Sequence, residues 1–471
     1  MRKWRRARPA PWALALCLVS CGSPPPGDAR GDHPVAAGLE VRRIILVTLD
    51  ALRADHLGCY SYPRDTSPFI DGLAREGATF ERAFTAMPMT APAHASLFTS
   101  LYPLQHQVMK NGHVLDGGFV TLAELARGRG YSTGAFVSAA YPFTAGDLLQ
   151  GFEVFGQSRS RARRPADQTI DNTLRWLAHR RPDERFLLWV HLFDTHQPLE
   201  PPARHLGAFT GLSGQAREDH ARYLLARHHV DFAFHGRDTE RMLRLIDAYD
   251  ASIRFVDEQL RRLFAELRQR GLDEDSLWLV TSDHGEGLGN HAWLEHGENV
   301  YNELVRVPMI LRFSSGAFRG MRIDEVVEHV DVLPTLAELM GAKWRKQPLP
   351  VQGASLLRLL SAPGAAPRGR LAFSQRRYHD RGDDEAAAQY ALQDRTHKYI
   401  HHVTGGDEFY DLTNDPYEVD NLVGRGGAPE AALREALLRK IELLKAGRSR
   451  AGPRLADPEA LEKLKALGYV N

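Results

Sequence analysis

The chain has 471 residues, 43% of them hydrophobic and 25% charged, which fits a folded protein large enough for more than one core and excludes a disordered chain. A formal net charge of +1 carries no broad electrostatic footprint for nucleic acid. Only three cysteines occur, two of them at Cys17 and Cys21. The body of the chain therefore keeps only Cys59, which excludes an internal disulfide or a thiolate zinc cluster there.

Residues 1–21 read as a targeting segment. Arg2, Lys3, Arg5, Arg6 and Arg8 form a basic stretch, and Trp12 to Val19 is an apolar run too short to span a bilayer. Leu18-Val19-Ser20-Cys21 resembles a bacterial lipobox, in which the cysteine is lipidated. This places the protein in a bacterial cell envelope, held to the membrane through a lipid only. Gly22 follows the cysteine, so no aspartate stands there to retain it at the inner membrane, and the outer membrane is favoured. Residues 22–40, rich in Pro, Gly and Asp, read as a flexible tether.

Arg43 to Asp50 is an apolar, β-branched run ending in an acid, the pattern of a strand buried on both faces. A helix is expected over Asp65 to Gly77. At Thr90-Ala91-Pro92-Ala93-His94 a loop enters a helix, with Pro92 in the first turn. The Thr90 hydroxyl then sits at a helix end that favours an anion. A threonine alcohol needs a base or a metal before it can attack. Thr121 to Gly130 reads as a helix, Ser132 to Val137 as a strand, and Phe186 to Asp194 as another buried strand. His191 falls inside that strand, where a satisfied buried histidine serves as well, and is not assigned to the site.

Pro201 to Thr239, rich in His and Arg, reads as an insertion near a substrate mouth. Met242 to Gly271 is a long amphipathic helix. Trp278 to Asp283 repeats the form of the first strand and also ends in Asp. Ligands gather at the carboxyl ends of strands in open α/β sheets, so the two strand ends bring Asp50 and Asp283 to one metal. Asp324 to Gly341 is read as helical and closes a larger domain, residues 41–345. Composition shifts at Ala362 to Arg368, within a smaller unit, residues 346–471. Its strands are expected at Leu371 to Ser374, Gln389 to Gln393, Lys398 to His401 and Glu408 to Asp411, with a final helix over Ala428 to Leu444. Alternating strands and helices mean an α/β fold with a mostly parallel sheet.

The segments ILVTLDALRADHLGCYSYPRDTSPFIDGLAREGATFERAF, TAPAHASLFTSLYPLQH, VTLAELARGRGYSTGAFVSA, FLLWVHLFDTHQPLEPP, VTSDHGEGLGNH, EHGENVYNELVRVPMILR and EFYDLTNDPYEVDNLV resemble, in order, the sulfatase family of the alkaline phosphatase superfamily. The resemblance implies a mostly parallel central sheet flanked by helices, a smaller C-terminal α+β part with an antiparallel sheet, and hydrolysis of sulfate or phosphate esters. It implies metal binding by Asp50, Thr90, Asp283 and His284, with Thr90 at the nucleophile position. It implies catalytic contacts from His196 and His296, and substrate contacts from His94 and Asn111. The cofactor is one divalent cation, Ca, Mn, Mg or Zn, a choice that two carboxylates, an imidazole and an alkoxide oxygen also support on their own chemistry. The partner is an anionic ester, a sulfated or phosphorylated glycan or lipid, and not nucleic acid.

Two departures from the family pattern matter. Family members place Cys or Ser at the nucleophile, which is oxidised to formylglycine, followed by Pro and Arg at alternate positions. Here the pattern reads Thr90, Pro92, His94. Threonine carries a methyl on Cβ, so its oxidation gives a ketone, and no formylglycine is expected. Threonine at this position resembles phosphoethanolamine transferases and some phosphodiesterases of the superfamily, which keeps phospho-group transfer open beside hydrolysis. A catalytically silent binding lipoprotein is the alternative from another class. Ala51 is the second departure, because many relatives carry a second metal-binding aspartate there.

Overall fold

The computed structural model describes residues 38–139, 141–144, 147–156, 163–210, 237–343, 351–361, 369–376, 378–379, 382–383, 385–449 and 454–456, with isolated positions beyond. The targeting segment, almost all of the tether, the composition shift at 362–368 and most of the His- and Arg-rich insertion lie outside these residues. Among the described residues no helix is long and apolar enough to cross a membrane.

An eight-stranded sheet organises the protein. In chain order the elements that position the site are β1 (Arg43–Leu49), α1 (Pro68–Glu76), β2 (Ala78–Phe84), α2 (Thr90–Thr99), α3 (Leu122–Arg127), β3 (Ser132–Val137), β4 (Val154–Gly156), α4 (Ala166–Leu177), β5 (Phe186–Leu192), α5 (Arg237–Gln269), β6 (Ser276–Ser282), β7 (Arg306–Phe313), β8 (Met321–Glu328) and α6 (Val332–Leu339). The strand order is β8-β2-β7-β6-β1-β5-β3-β4. Only β7 runs antiparallel to its neighbours, so the sheet is mostly parallel, as expected.

Strand β1 sits between β5 and β6 with matched ends: Leu49 lies opposite Leu192 on one side and Ser282 on the other. Every residue of β1, β5 and β6 is buried, which is why these runs are apolar without alternation. Ile44, Leu46, Leu187, Trp189 and Leu279 face one side, where α2, α3 and α6 pack. Ile45, Val47, Leu188, Val190 and Val280 face the other, against α1, α4 and α5. Burying each such side chain is worth about 1.5–3 kcal/mol, so the two layers fix the central strands firmly.

The expectation that 324–341 is helical is corrected. Residues Met321–Glu328 form edge strand β8, a 3₁₀ turn covers His329–Asp331, and only Val332–Leu339 is helical. The charges that disguised β8 pair across the sheet edge, Arg82 with Asp324 (2.6 Å) and Arg322 with Glu81 (2.6 Å). The insertion carries a helix at Ala203–Thr210 within its described part.

A four-stranded antiparallel sheet follows: β9 (Ala372–Arg376), β10 (Gln389–Gln393), β11 (His397–His402) and β12 (Glu408–Asp411), covered by helix α7 (Gly427–Ala446). It clamps the chain around α2. Ser374 Oγ donates to the Thr85 carbonyl (2.7 Å) and Gln375 N–H to the Ala86 carbonyl (2.9 Å). Beyond α2, Ser100 Oγ donates to the Val330 carbonyl (2.6 Å) and the Tyr102 hydroxyl to Glu328 (2.8 Å).

Candidate active site

Asp50 and Asp283 are the residues immediately after β1 and β6, so the parallel register that ends at Leu49 and Ser282 sets them side by side. Both are fully buried. The turn after β1 is tight: Ala51 adopts φ 57°, a left-handed conformation rare outside glycine. Its N–H donates to Asp283 Oδ1 (3.1 Å), and so does the His284 N–H (2.9 Å). One oxygen of Asp283 is thereby tied to backbone. The other, Oδ2, has no hydrogen-bond partner among the described residues.

His284 Nδ1 donates to the Gly285 carbonyl (2.9 Å), so its Nε2 carries a lone pair. That nitrogen lies 3.7 Å from Asp50 Oδ1 and 3.7 Å from Asp283 Oδ2, and makes no hydrogen bond among the described residues. Electron-pair donors converging at such a separation repel one another unless a proton or a metal cation lies among them. Burial, and the charge of Asp50, push the Asp283 carboxyl above its usual range, while burial lowers His284 to about 4. The pocket thus disfavours both free carboxylates and imidazolium, a conflict that a bound divalent cation resolves. The residues present fit a metal. A second triangle shares the aspartates: one ligand atom each from Asp50, His191 and Asp283 lie within 4.8 Å of one another.

Thr90 is the first residue of α2, after extended Met89. Its Oγ1 is buried and has no hydrogen-bond partner among the described residues. Asn111 Oδ1 accepts the Ala91 N–H (2.8 Å), so Asn111 steadies the start of the helix. His94 links the helix to the acid pair: its Nδ1 lies 2.8 Å from the Thr90 carbonyl and 3.9 Å from Asp283 Oδ2. Its Nε2 is 3.1 Å from Thr48 Oγ1. Both ring nitrogens of His94 therefore have protein partners rather than an open face toward an ester.

His196 stacks on Phe193 (ring centroids 4.3 Å apart) and meets His296 edge-on at 4.7 Å. His296 in turn lies against His284, centroids 4.3 Å apart. His296 Nδ1 is 3.2 Å from Glu286 Oε1. Burial lowers both His196 and His296 to about 4 and raises Glu286 to about 7. The structure brings together Asp50, Thr90, Asp283, His284, His196 and His296, around which His94 acts from α2 and Asn111 from a turn beyond it. Sequence reasoning missed Glu286, His191 and Thr48. A signal existed for His191: in parallel strands with matched ends, Thr48 and His191 are opposite and share the face of Asp50.

A family profile described as Sulfatase matches residues 42–342, and one described as N-sulphoglucosamine sulphohydrolase, C-terminal, matches residues 289–446. The chain is 26% identical to an uncharacterized sulfatase, YidJ, of Escherichia coli over 80% of its own length and 82% of the relative's. It is 23% identical to an N-acetylglucosamine-6-O-sulfatase of Bacteroides thetaiotaomicron, over 91% and 88% of the two chains. Its fold matches the crystal structure of a phosphonate monoester hydrolase of Agrobacterium radiobacter with a TM-score of 0.69 and 24% identity, covering 88% of this chain and 100% of the other. The first profile alone spans well over half the chain, from the strand that delivers Asp50 to the helix that braces α2, and the chain belongs to the sulfatase family of ester hydrolases.

Proposed function

We propose that the protein is a sulfatase-like hydrolase of an anionic sulfate or phosphate ester that uses unmodified Thr90 as its nucleophile. The observation that carries this reading is the Thr90 hydroxyl itself, buried without a hydrogen-bond partner among the described residues at the start of α2. Asp50, Asp283 and His284 would hold the cation, with Thr90 completing the set. Bound there, a divalent cation neutralises the ester's charge and favours ionisation of a nearby hydroxyl.

Thr90 Oγ1 attacks the sulfur or phosphorus while the bond to the leaving alcohol breaks, giving a sulfo- or phospho-threonine. His196 and His296 each have Nδ1 engaged, by the Gln197 carbonyl and by Glu286, and take and return protons through Nε2. The proton lost by the threonine goes to the leaving oxygen. Water, deprotonated by a histidine of the pair, then attacks the intermediate, frees Thr90 and releases the inorganic anion. Asn111 and His94 hold the helix start that aims Thr90. The Cβ methyl argues against formylglycine in this chain. A relative named as an N-acetylglucosamine-6-O-sulfatase supports a sulfated glycan among the candidate anionic esters, and the Leu18–Cys21 lipobox supports a lipid anchor in a bacterial envelope, with the outer membrane favoured.

The test assays aryl sulfate, phosphate monoester, phosphodiester and phosphonate esters side by side. Thr90→Ala should lower kcat more than roughly 10²-fold on the preferred ester, the scale of removing one well-placed catalytic group. Thr90→Ser should retain much of the activity. Quenched wild type should carry a sulfo- or phospho-group on the peptide containing Thr90. Full activity in Thr90→Ala would refute the covalent route.

A further inference from the structure

His191 has no part in the mechanism above, yet it lies at its centre. Its Nε2 is 3.3 Å from Asp50 Oδ2, and its Nδ1 is 2.9 Å from Thr48 Oγ1. The proton on this ring can be located by starting from groups that have no choice. A carbonyl only accepts, so His94 Nδ1 must donate to the Thr90 carbonyl. His94 is fully buried among Phe98, Phe143 and Trp189, with a carbonyl and a hydroxyl as its hydrogen-bond partners, an environment for the neutral ring. Neutral His94 then offers Nε2 as an acceptor. An indole N–H only donates, and that of Trp189 donates to Thr48 Oγ1 (2.9 Å). Thr48 has one hydroxyl proton for two ring nitrogens, His94 Nε2 (3.1 Å) and His191 Nδ1 (2.9 Å); given to His94 it satisfies every contact of the hydroxyl, because His191 Nδ1 can donate in return and His94 Nε2 cannot. What Thr48 has left for His191 is a lone pair, so His191 Nδ1 is the donor.

The ring is wholly buried, which favours its neutral form, and with Nδ1 protonated the neutral ring points the Nε2 lone pair at a carboxylate oxygen. Two acceptors at 3.3 Å form no hydrogen bond, but both can bind one cation. We propose that His191 Nε2 is a ligand of the cation held by Asp50 and Asp283, and that Thr48 fixes the tautomer that makes it one. This rests on the reading that the site holds a metal. The strand register gives the same answer from the backbone: Thr48, His191 and Asp50 share one face of adjacent strands. Ala51 supplies no second carboxylate, and His191 takes the place in the donor set that it leaves. Two carboxylates and two imidazoles form a set for zinc or manganese rather than for calcium, which prefers six to eight oxygens.

The experiment titrates chelator-stripped full chain with Zn²⁺, Mn²⁺ and Ca²⁺ separately, reading affinity by chelator competition, and records imidazole nitrogen shifts in the zinc form. Wild type should bind one equivalent, with Zn²⁺ or Mn²⁺ ahead of Ca²⁺, and His191 should show protonated Nδ1 and metal-bound Nε2. His191→Gln should weaken Zn²⁺ binding at least as much as Thr48→Val does, and narrow the preference over Ca²⁺. Thr48→Val, which keeps the shape and removes the hydroxyl, should weaken it roughly 10–100-fold, while Thr48→Ser should bind as wild type does. If His191→Gln and Thr48→Val both bind Zn²⁺ as tightly as wild type, or if His191 is an imidazolium paired with Asp50 in the zinc form, the inference fails and the metal rests on Asp50, Asp283 and His284. If wild type takes up no stoichiometric metal, the underlying reading fails with it.

Discussion

Neutralising His291 should cost the protein stability in acid and not in base. His291 lies in the loop between His284 and His296, where it and Ala292 both take positive φ (50° and 55°). Its ring stacks on Tyr301 at 3.7 Å. Nε2 donates to the Glu418 carbonyl (3.0 Å) and Nδ1 to Glu303 Oε1 (2.7 Å), so both nitrogens carry protons and the ring is a cation. Burial pulls its pKa down, but the hydrogen bond and charge of Glu303 outweigh burial and hold it at about 9 against an ordinary 6.5. The folded pKa lies above the unfolded one, so the stabilisation is fully present below about pH 6.5, declines as pH rises, and is gone above about pH 9. At about 1.4 kcal/mol per unit, that displacement sets a ceiling of about 3 kcal/mol. His291→Gln keeps hydrogen-bonding capacity but has no titrating group. Urea unfolding of both proteins at about pH 6 and about pH 9.5 gives the comparison: the wild type should lead by about 3 kcal/mol at most in acid, and the gap should close in base. An equal gap at both values refutes the argument.

Other perturbations test other parts of the structure. Asp283→Ala should lose metal and activity together while its circular dichroism stays that of the wild type; a variant retaining a full metal equivalent moves the site elsewhere. Gly285→Ala should destabilise by more than about 3 kcal/mol in urea unfolding, because its Cβ would stand 1.9 Å from the Glu303 carbonyl oxygen with backbone all round; near-normal stability contradicts this. Asn111→Ala strands the Ala91 N–H and should cost about 1–3 kcal/mol, with a larger loss in kcat than in KM as Thr90 drifts. Cys21→Ala should free the protein from a detergent-extractable membrane fraction or block its processing, and a wild type that is wholly soluble with an unlipidated N-terminus ends the anchor proposal.

The central strands were legible because burial on both faces demands unbroken apolar runs, and Asp50 and Asp283 stand out where those runs stop. Helix α2 was legible from Pro92. Strands β2 and β8 were not, because an edge can carry Glu81, Arg82, Arg322 and Asp324 once they pair with each other, and such pairing is invisible in either segment alone. In the site, spacing marks which residues are polar at strand ends, but not where a proton sits. The difference between His94 and His191 lies in Thr48 and Trp189, partners 46 and 141 positions from His94 and Thr48 respectively, and only the fold supplies them. Ala51 shows the same limit. Its sequence reads as a lost ligand, whereas its backbone N–H holds Asp283 in place.

The clamp on α2 also has a consequence in time. Thr85, just ahead of Thr90, is held by Ser374, 289 positions later. At about 5–20 residues per second, synthesis of the intervening chain takes roughly 15–60 s. Throughout that interval the segment bearing Thr90 exists without the strand that steadies it. The start of α2 therefore reaches its final packing only after the C-terminal sheet has been made, and a chain cut short before Ser374 keeps Thr90 but lacks the contact that holds its segment.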